Sequence, residues 1–204
     1  MPRSTTVIAK LKPMTVEEWG NLDEGIEGEL VDGILEEEEI ATFLHELVVM
    51  WLSRTLGAWI RRRRGYIAGS EAKIAVGSRR GRKPDLSVYL RGKAPALADS
   101  LVRIPPHLVV EVISPRPRDA RRDRIDKIAD YAGAGIGYYW ILDPQLRTLE
   151  VLELEASAHY RVSVARSRGR VRIPGCPGLV VNLDDLWAEA DEAERQHAQR
   201  LRKR

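Results

Sequence analysis

The spacing of apolar positions changes several times along this chain, and each change marks a predicted element. Thr15 opens a helix, with Glu18 three residues on completing a capping box and Trp19 and Leu22 as apolar contacts. Residues 29–35 read as extended chain turning at Asp32-Gly33, a pair suited to a tight hairpin. Across 42–64, Leu44, Val48, Trp51, Leu52, Leu56 and Trp59 recur at helical spacing and predict the longest helix, amphipathic and packed on a sheet. Short apolar runs at 66–68, 71–76, 86–90 and 108–113 then predict strands. The last is apolar throughout except at Glu111, as expected of a strand covered on both faces. A second helix is predicted over 119–134, with Ile125, Ile128, Ala129 and Ala132 as its buried stripe and Gly133 and Gly135 ending it. Strands at 138–142, 149–154, 160–165 and 171–173 follow, then a loop around Cys176 and a final helix from Asp184.

A length of 204 residues with 44% hydrophobic content suits one domain with a substantial core, not two full-sized ones. The expected division is an arm at 1–13, a domain at 14–187 and a basic helix or tail at 188–204. Residues 1–12 and 195–204 are expected to fray. A single cysteine, Cys176, excludes an intrachain disulfide and a thiolate metal cluster, and fits a reducing cytosol. No run approaches the ~18 apolar residues of a membrane span, and the N-terminus lacks a signal peptide's apolar core. The expectation is a cytoplasmic protein with no membrane partner. With no phosphate loop, dinucleotide fingerprint or zinc-spaced Cys/His set, no organic cofactor is expected.

The formal charge of +3 conceals a strong segregation. Residues 14–50 carry no lysine or arginine and include the acidic block 36–39. Over 54–91 the sign reverses, with Arg61, Arg62, Arg63, Arg64, Arg79, Arg80, Arg82 and Lys83 set against only Glu71 and Asp85. Arg116, Arg118, Arg121, Arg122, Arg124 and Lys127 form a second basic cluster, and the C-terminal tail a third. Each run alone reads equally as a solvated face or a polyanion contact. The two central clusters flank the residues with candidate chemistry, which favours a polyanion.

Three charges stand where a solvated role fits poorly. Asp85 follows Pro84 at a strand start, Glu111 interrupts an apolar strand, and Lys127 lies on the following helix. A carboxylate inside a doubly covered strand costs several kcal/mol unless it meets a cation. Two acidic residues on neighbouring strands can converge on a divalent ion, and hard oxygen donors suit Mg2+ or Mn2+. The bland alternatives are a turn role for Asp85, a buried arginine as partner of Glu111 or Glu29, a surface position for Lys127, and a half-buried structural role for His45. Asp143 before Pro144 reads as a turn residue.

The ordered series Gly28-Glu29-Leu30-Val31-Asp32-Gly33, His45, Lys83-Pro84-Asp85-Leu86, Pro106-His107 through Glu111 to Ser114-Pro115, residues 123–131 around Lys127, Tyr139-Trp140, Asp143-Pro144 and Pro177-Gly178-Leu179 resembles the restriction-endonuclease-like Uma family of the PD-(D/E)XK nuclease superfamily. The resemblance spans roughly 14–187. It implies an α/β fold: a restriction-endonuclease-like core with a central mixed β-sheet flanked by helices, and further antiparallel strands toward the C-terminus. It also implies Asp85 and Glu111 as ligands of Mg2+ or Mn2+, with Glu29 and His45 as auxiliary site residues. The parent motif's lysine position holds Ile113, and Lys127 is the matching position in this branch. The implied activity is metal-dependent endonucleolytic hydrolysis of DNA, with Arg61, Arg62, Arg63, Arg64, Arg79, Arg80, Arg82, Arg121 and Arg122 on phosphates. A homodimer is implied, with exposed apolar residues of the last strands as its interface. The alternative is a nuclease fold kept as an inactive nucleic-acid-binding or assembly module, favoured by the missing lysine at 113.

Overall fold

A computed structural model describes residues 12–202 apart from 24, 38–39 and 117–119. In chain order its first elements are α1 (Val16–Gly20), β1 (Glu29–Val31), β2 (Ile34–Glu36), α2 (Phe43–Arg61), β3 (Tyr66–Gly69), β4 (Ile74–Gly77), β5 (Arg80–Arg82), β6 (Leu86–Tyr89) and β7 (Leu108–Val112). A π-helical segment, Arg122–Asp126, leads into α3 (Lys127–Gly133). Then come β8 (Tyr138–Asp143), β9 (Thr148–Leu154), β10 (Tyr160–Arg166), β11 (Arg170–Arg172), β12 (Val180–Asn182) and α4 (Leu183–Arg202).

Local chemistry accounts for the first elements. Thr15 Oγ1 accepts the Glu18 N–H at 3.2 Å, and Glu18 Oε2 accepts the Thr15 N–H at 2.7 Å, so the capping box closes. Asp32 and Gly33 both sit at positive φ, 51° and 82°, as a tight hairpin between β1 and β2 requires.

The central sheet has six strands in the order β10-β9-β8-β7-β6-β3. Only β7 and β8 are parallel within it. One face, with Val110, Val112, Trp140 and Leu142, packs with α2, α4 and the β11-β12 ribbon. The other, with Val109, Ile113, Tyr139 and Ile141, meets Tyr131 of α3 and Ile74 of β4. Ile74 belongs to a second sheet of order β2-β1-β5-β4, which closes over α1. There Gly81 lets Trp19 lie against the backbone, since a β-carbon at Gly81 would stand 2.2 Å from the ring. No helix among the described residues is long and apolar enough to cross a membrane.

Several expectations need correction. The longest helix is α4 with 20 residues, one more than α2, and it runs through most of the segment expected to fray. Two strands were not foreseen: β12, and β5, whose Arg-Gly-Arg sequence resembles a surface run. The stripe expected to bury the second helix is split: Ile125 is 58% exposed and Ala129 exposed, whereas Ala132 is buried and Ile128 packs against the core. The buried face also carries Asp123, Lys127, Asp130 and Tyr131, which the apolar stripe did not predict. Burying these charges is tolerable because each is paired: Asp130 with Arg80 and Arg82 of the second sheet, and Lys127 with Glu111 of β7 and with Asp123 one turn back. The predicted helix start at Asp119 lies outside the described residues.

Candidate active site

Asp85, Glu111, Lys127, Glu29 and His45 line one pocket of about 130 Å³, together with Ala41, Glu46, Ser70, Lys83 and Arg122. Antiparallel pairing of β6 with β7 sets Leu86 opposite Val110, which brings Asp85 beside the C-terminal end of β7. Asp85 Oδ2 accepts the Val112 N–H at 2.7 Å and lies 3.3 Å from His45 Nε2 at the N-terminal end of α2. His45 is held there by a buried position and by the Thr42 cap, whose Oγ1 accepts the His45 N–H.

Glu111 is 3% exposed, pointing from the middle of the sheet toward α3. Lys127 Nζ lies 3.0 Å from Glu111 Oε1, and Tyr131 Oη donates to the same oxygen at 2.5 Å. Lys127 also meets Asp123 Oδ1 at 2.9 Å, one helical turn back, and Glu29 Oε1 at 3.7 Å. The sequence requirement that Glu111 meet a cation is therefore met by the lysine of the following helix.

Glu29 lines the pocket and is at the same time paired with an arginine of the basic segment. Its Oε2 takes Arg82 Nη1 at 2.8 Å, while Oε1 accepts the Lys83 N–H at 2.9 Å and faces Lys127. Arg82 also grips Asp130 Oδ2 at 2.6 Å, and Arg80 joins Asp130 to Asp32. This chain of ion pairs ties β1 and β5 to α3, and so fixes the height of Lys127 over β7.

The charges respond accordingly. Burial pushes the Glu111 carboxyl well above the usual carboxylate range, and Asp123, Asp85 and Glu29 add to the rise against Lys127. Burial opposes the charge on Lys127, but Asp123, Glu111 and Glu29 outweigh it and hold the ammonium well above its ordinary pKa. Burial would likewise raise Glu29, yet Lys127 and Arg82 bring it below the usual range. Tyr131 is raised well above 10 by burial and Glu111, so it remains a hydrogen-bond donor.

The predicted phosphate contacts divide. Arg82 is 1% exposed and spent on Glu29 and Asp130, which withdraws it from any phosphate-binding surface. Arg80 is engaged by Asp32 and Asp130. Arg63 stacks 4.5 Å over Trp59 and donates to the Pro177 carbonyl. Arg61, Arg62 and Arg64 are exposed, but they follow α2 to the end away from His45, ~24 Å off at 1.5 Å per residue. Arg79 and Arg121 are exposed, whereas Arg122 is buried in the pocket wall itself. Asp143 accepts the Gln145 and Leu146 N–H groups, the turn role expected of it.

Tyr131 and Asp123 were not singled out by sequence reasoning. The spacing of Asp123, Lys127 and Tyr131 at i, i+4 and i+8 places them on one helical face and was the available signal.

A mixed sheet whose adjacent strands present two carboxylates beside a helical lysine defines a restriction-endonuclease-like α/β protein. Residues 15–184 match the family Uma2, described as "Putative restriction endonuclease", and the chain belongs to that family. The fold is also similar to a crystal structure from Anabaena variabilis described as a "putative nuclease belonging to DUF820". The TM-score is 0.71 over 86% of this chain and 98% of that one, at 18% identity. No curated protein matches the chain.

Proposed function

We propose that the protein is a metal-dependent endonuclease that hydrolyses phosphodiester bonds of DNA at the pocket shared by Asp85, Glu111 and Lys127. The observation that carries this reading is the convergence of two strand carboxylates and a helical ammonium on one wall, in a chain of this family.

The donor set fits a hard divalent cation. Both contacts of Glu111 fall on Oε1, and a dication would offset the negative charge that Asp123, Asp85 and Glu29 add around this buried carboxyl. Among the described residues no three of His, Cys, Asp and Glu form a ready-made metal cage. Mg2+ and Mn2+ keep several waters and take one or two carboxylates plus substrate phosphate, a demand that Asp85 and Glu111 could meet. Asp85 and Glu111 would hold the ion, which when bound supplies Lewis-acid polarisation of a phosphoryl oxygen and a more acidic water.

The chain's own groups have separable tasks. Lys127, locked as a cation, cannot serve as a general base; its ammonium orients the attacking water and offsets charge developing on the phosphoryl oxygens. Tyr131 fixes the rotamer of Glu111, and His45 with the Val112 N–H fixes Asp85. Arg122 on the pocket wall is suited to hold a non-bridging phosphate oxygen.

Homodimerisation in the cytoplasm belongs to the same reading. In the last strands only Val162 is a large exposed hydrophobic. The larger exposed apolar set is Ile34, Ile40, Phe43, Met50 and Tyr66, on the second sheet, around α2 and on the edge strand β3. The rival reading, an inactive binding module, is favoured by Ile113 standing where the parent motif has its lysine. Incubation of supercoiled plasmid with Mg2+ or Mn2+ separates the two: nicking that disappears in Asp85→Asn supports turnover, and no nicking at any metal concentration removes it.

A further inference from the structure

Arg166, Arg168, Arg170 and Arg172 form an exposed row at alternate positions, running from the end of β10 through a turn into β11. Val171 between them is buried in the core, and Gly169 makes the turn at φ 81°. None of the four makes an ion pair with a carboxylate among the described residues; Arg166 donates to the Ala165 carbonyl. Asp184, close by, is occupied in part by the Gly169 N–H. Other arginines of this region are engaged: Arg124 with Asp143 and Glu150, and Arg147 with Asp191. Four exposed guanidiniums without carboxylate partners are a polyanion-binding feature.

The sheet register locates Arg166, the first of the four. Val112 stands opposite Leu142, Leu142 opposite Leu149, and Leu149 opposite Arg166. Arg166 is thus three strand spacings, ~14 Å, from Val112, the residue whose N–H holds Asp85. Arg166 and the carboxylate pocket occupy the same end of the central sheet. Arg61 and Arg62 sit at the other, where Tyr66 pairs with Tyr89, while Gly69 pairs with Leu86 next to Asp85.

We propose that the 166–172 arginine row is a backbone-phosphate contact for duplex DNA whose scissile phosphate lies at Asp85 and Glu111. The proposal rests on the nuclease reading above for the position of the scissile phosphate. At 3.4 Å per base pair, ~14 Å corresponds to about four base pairs from the point of cleavage. Bidentate guanidinium contacts grip phosphate oxygens without reading bases, so the row adds affinity and orientation but no sequence preference.

The test measures binding of a labelled duplex of roughly 30 base pairs in metal-free buffer as salt is varied. Replacing all four arginines by glutamine should flatten the slope of log K against log salt by about 3 to 4, whereas the four-lysine variant should retain most of it. Arg61→Gln with Arg62→Gln should leave the slope unchanged. An unchanged slope and affinity in the four-glutamine protein overturns the proposal, as does row-dependent preference for an RNA duplex of the same sequence. A plasmid arm with Mg2+ keeps the two readings apart. Row-dependent binding without cleavage sinks the nuclease reading and keeps the row; cleavage with row-independent binding does the reverse.

Discussion

Lys127 Nζ stands 3.0 Å from Glu111 Oε1 although a helix supplies one group and a strand the other, and both side chains are almost wholly buried. In a buried pair, removing one partner leaves the other charge without compensation, at a cost of about 3–5 kcal/mol. Lys127→Met should therefore destabilise the protein by roughly that amount in urea unfolding. Adding Glu111→Gln should recover part of it, with a coupling energy on the order of 1–3 kcal/mol from the double-mutant cycle. Strict additivity would mean that the pair does not interact as described.

Arg82 is the hub between Glu29 and Asp130, and its fork engages both carboxylates. Arg82→Lys keeps the charge but not the fork, so it should recover little of the several kcal/mol lost in Arg82→Ala. Because Glu29 faces Lys127, both variants should also weaken metal-dependent cleavage more than their stability loss explains when assayed well below their melting temperatures. Full activity in folded Arg82→Lys would show that the network does not position Lys127.

The ring of Trp19 fills the space above Gly81, and a methyl group there would overlap it at 2.2 Å. Gly81→Ala should cost about 1–3 kcal/mol by overpacking, visible as a lower Tm with an unchanged fold. A neutral effect would require Trp19 to move out of a fully buried position.

Burial pushes the Cys176 thiol up to about 12 from 9.0. The folded state then holds this proton longer than the unfolded state does. The associated stability is fully present below about pH 9 and is lost as pH rises toward 12. At neutral pH the native protein should react with a thiol reagent far more slowly than the denatured chain. Equal rates would place the thiol outside the core.

Much of this architecture was legible because it is written in local pattern. The capping box at Thr15, the Asp32-Gly33 turn and the apolar strand around Glu111 each carry their own signature, and each forms as read. The orientation of α3 was not legible, because its apolar residues and its charged residues both mark a helical face. The charged face won because Arg80, Arg82 and Glu111, all distant in sequence, wait for it. For the same reason Arg82 reads as a surface cation until its two carboxylates are seen beside it. That the arginines of α2 lie at the opposite end of the sheet from Asp85 is visible only once the register of β3 and β6 is known.

The most direct test of the account is calorimetric titration of the folded protein with Mn2+, set beside Asp85→Asn and Glu111→Gln. The account predicts binding at one site per chain that either substitution abolishes or weakens by at least tenfold, while both variants keep native circular dichroism. Absence of binding to the wild type, or binding indifferent to both substitutions, would contradict the assignment of Asp85 and Glu111 as the metal-holding pair.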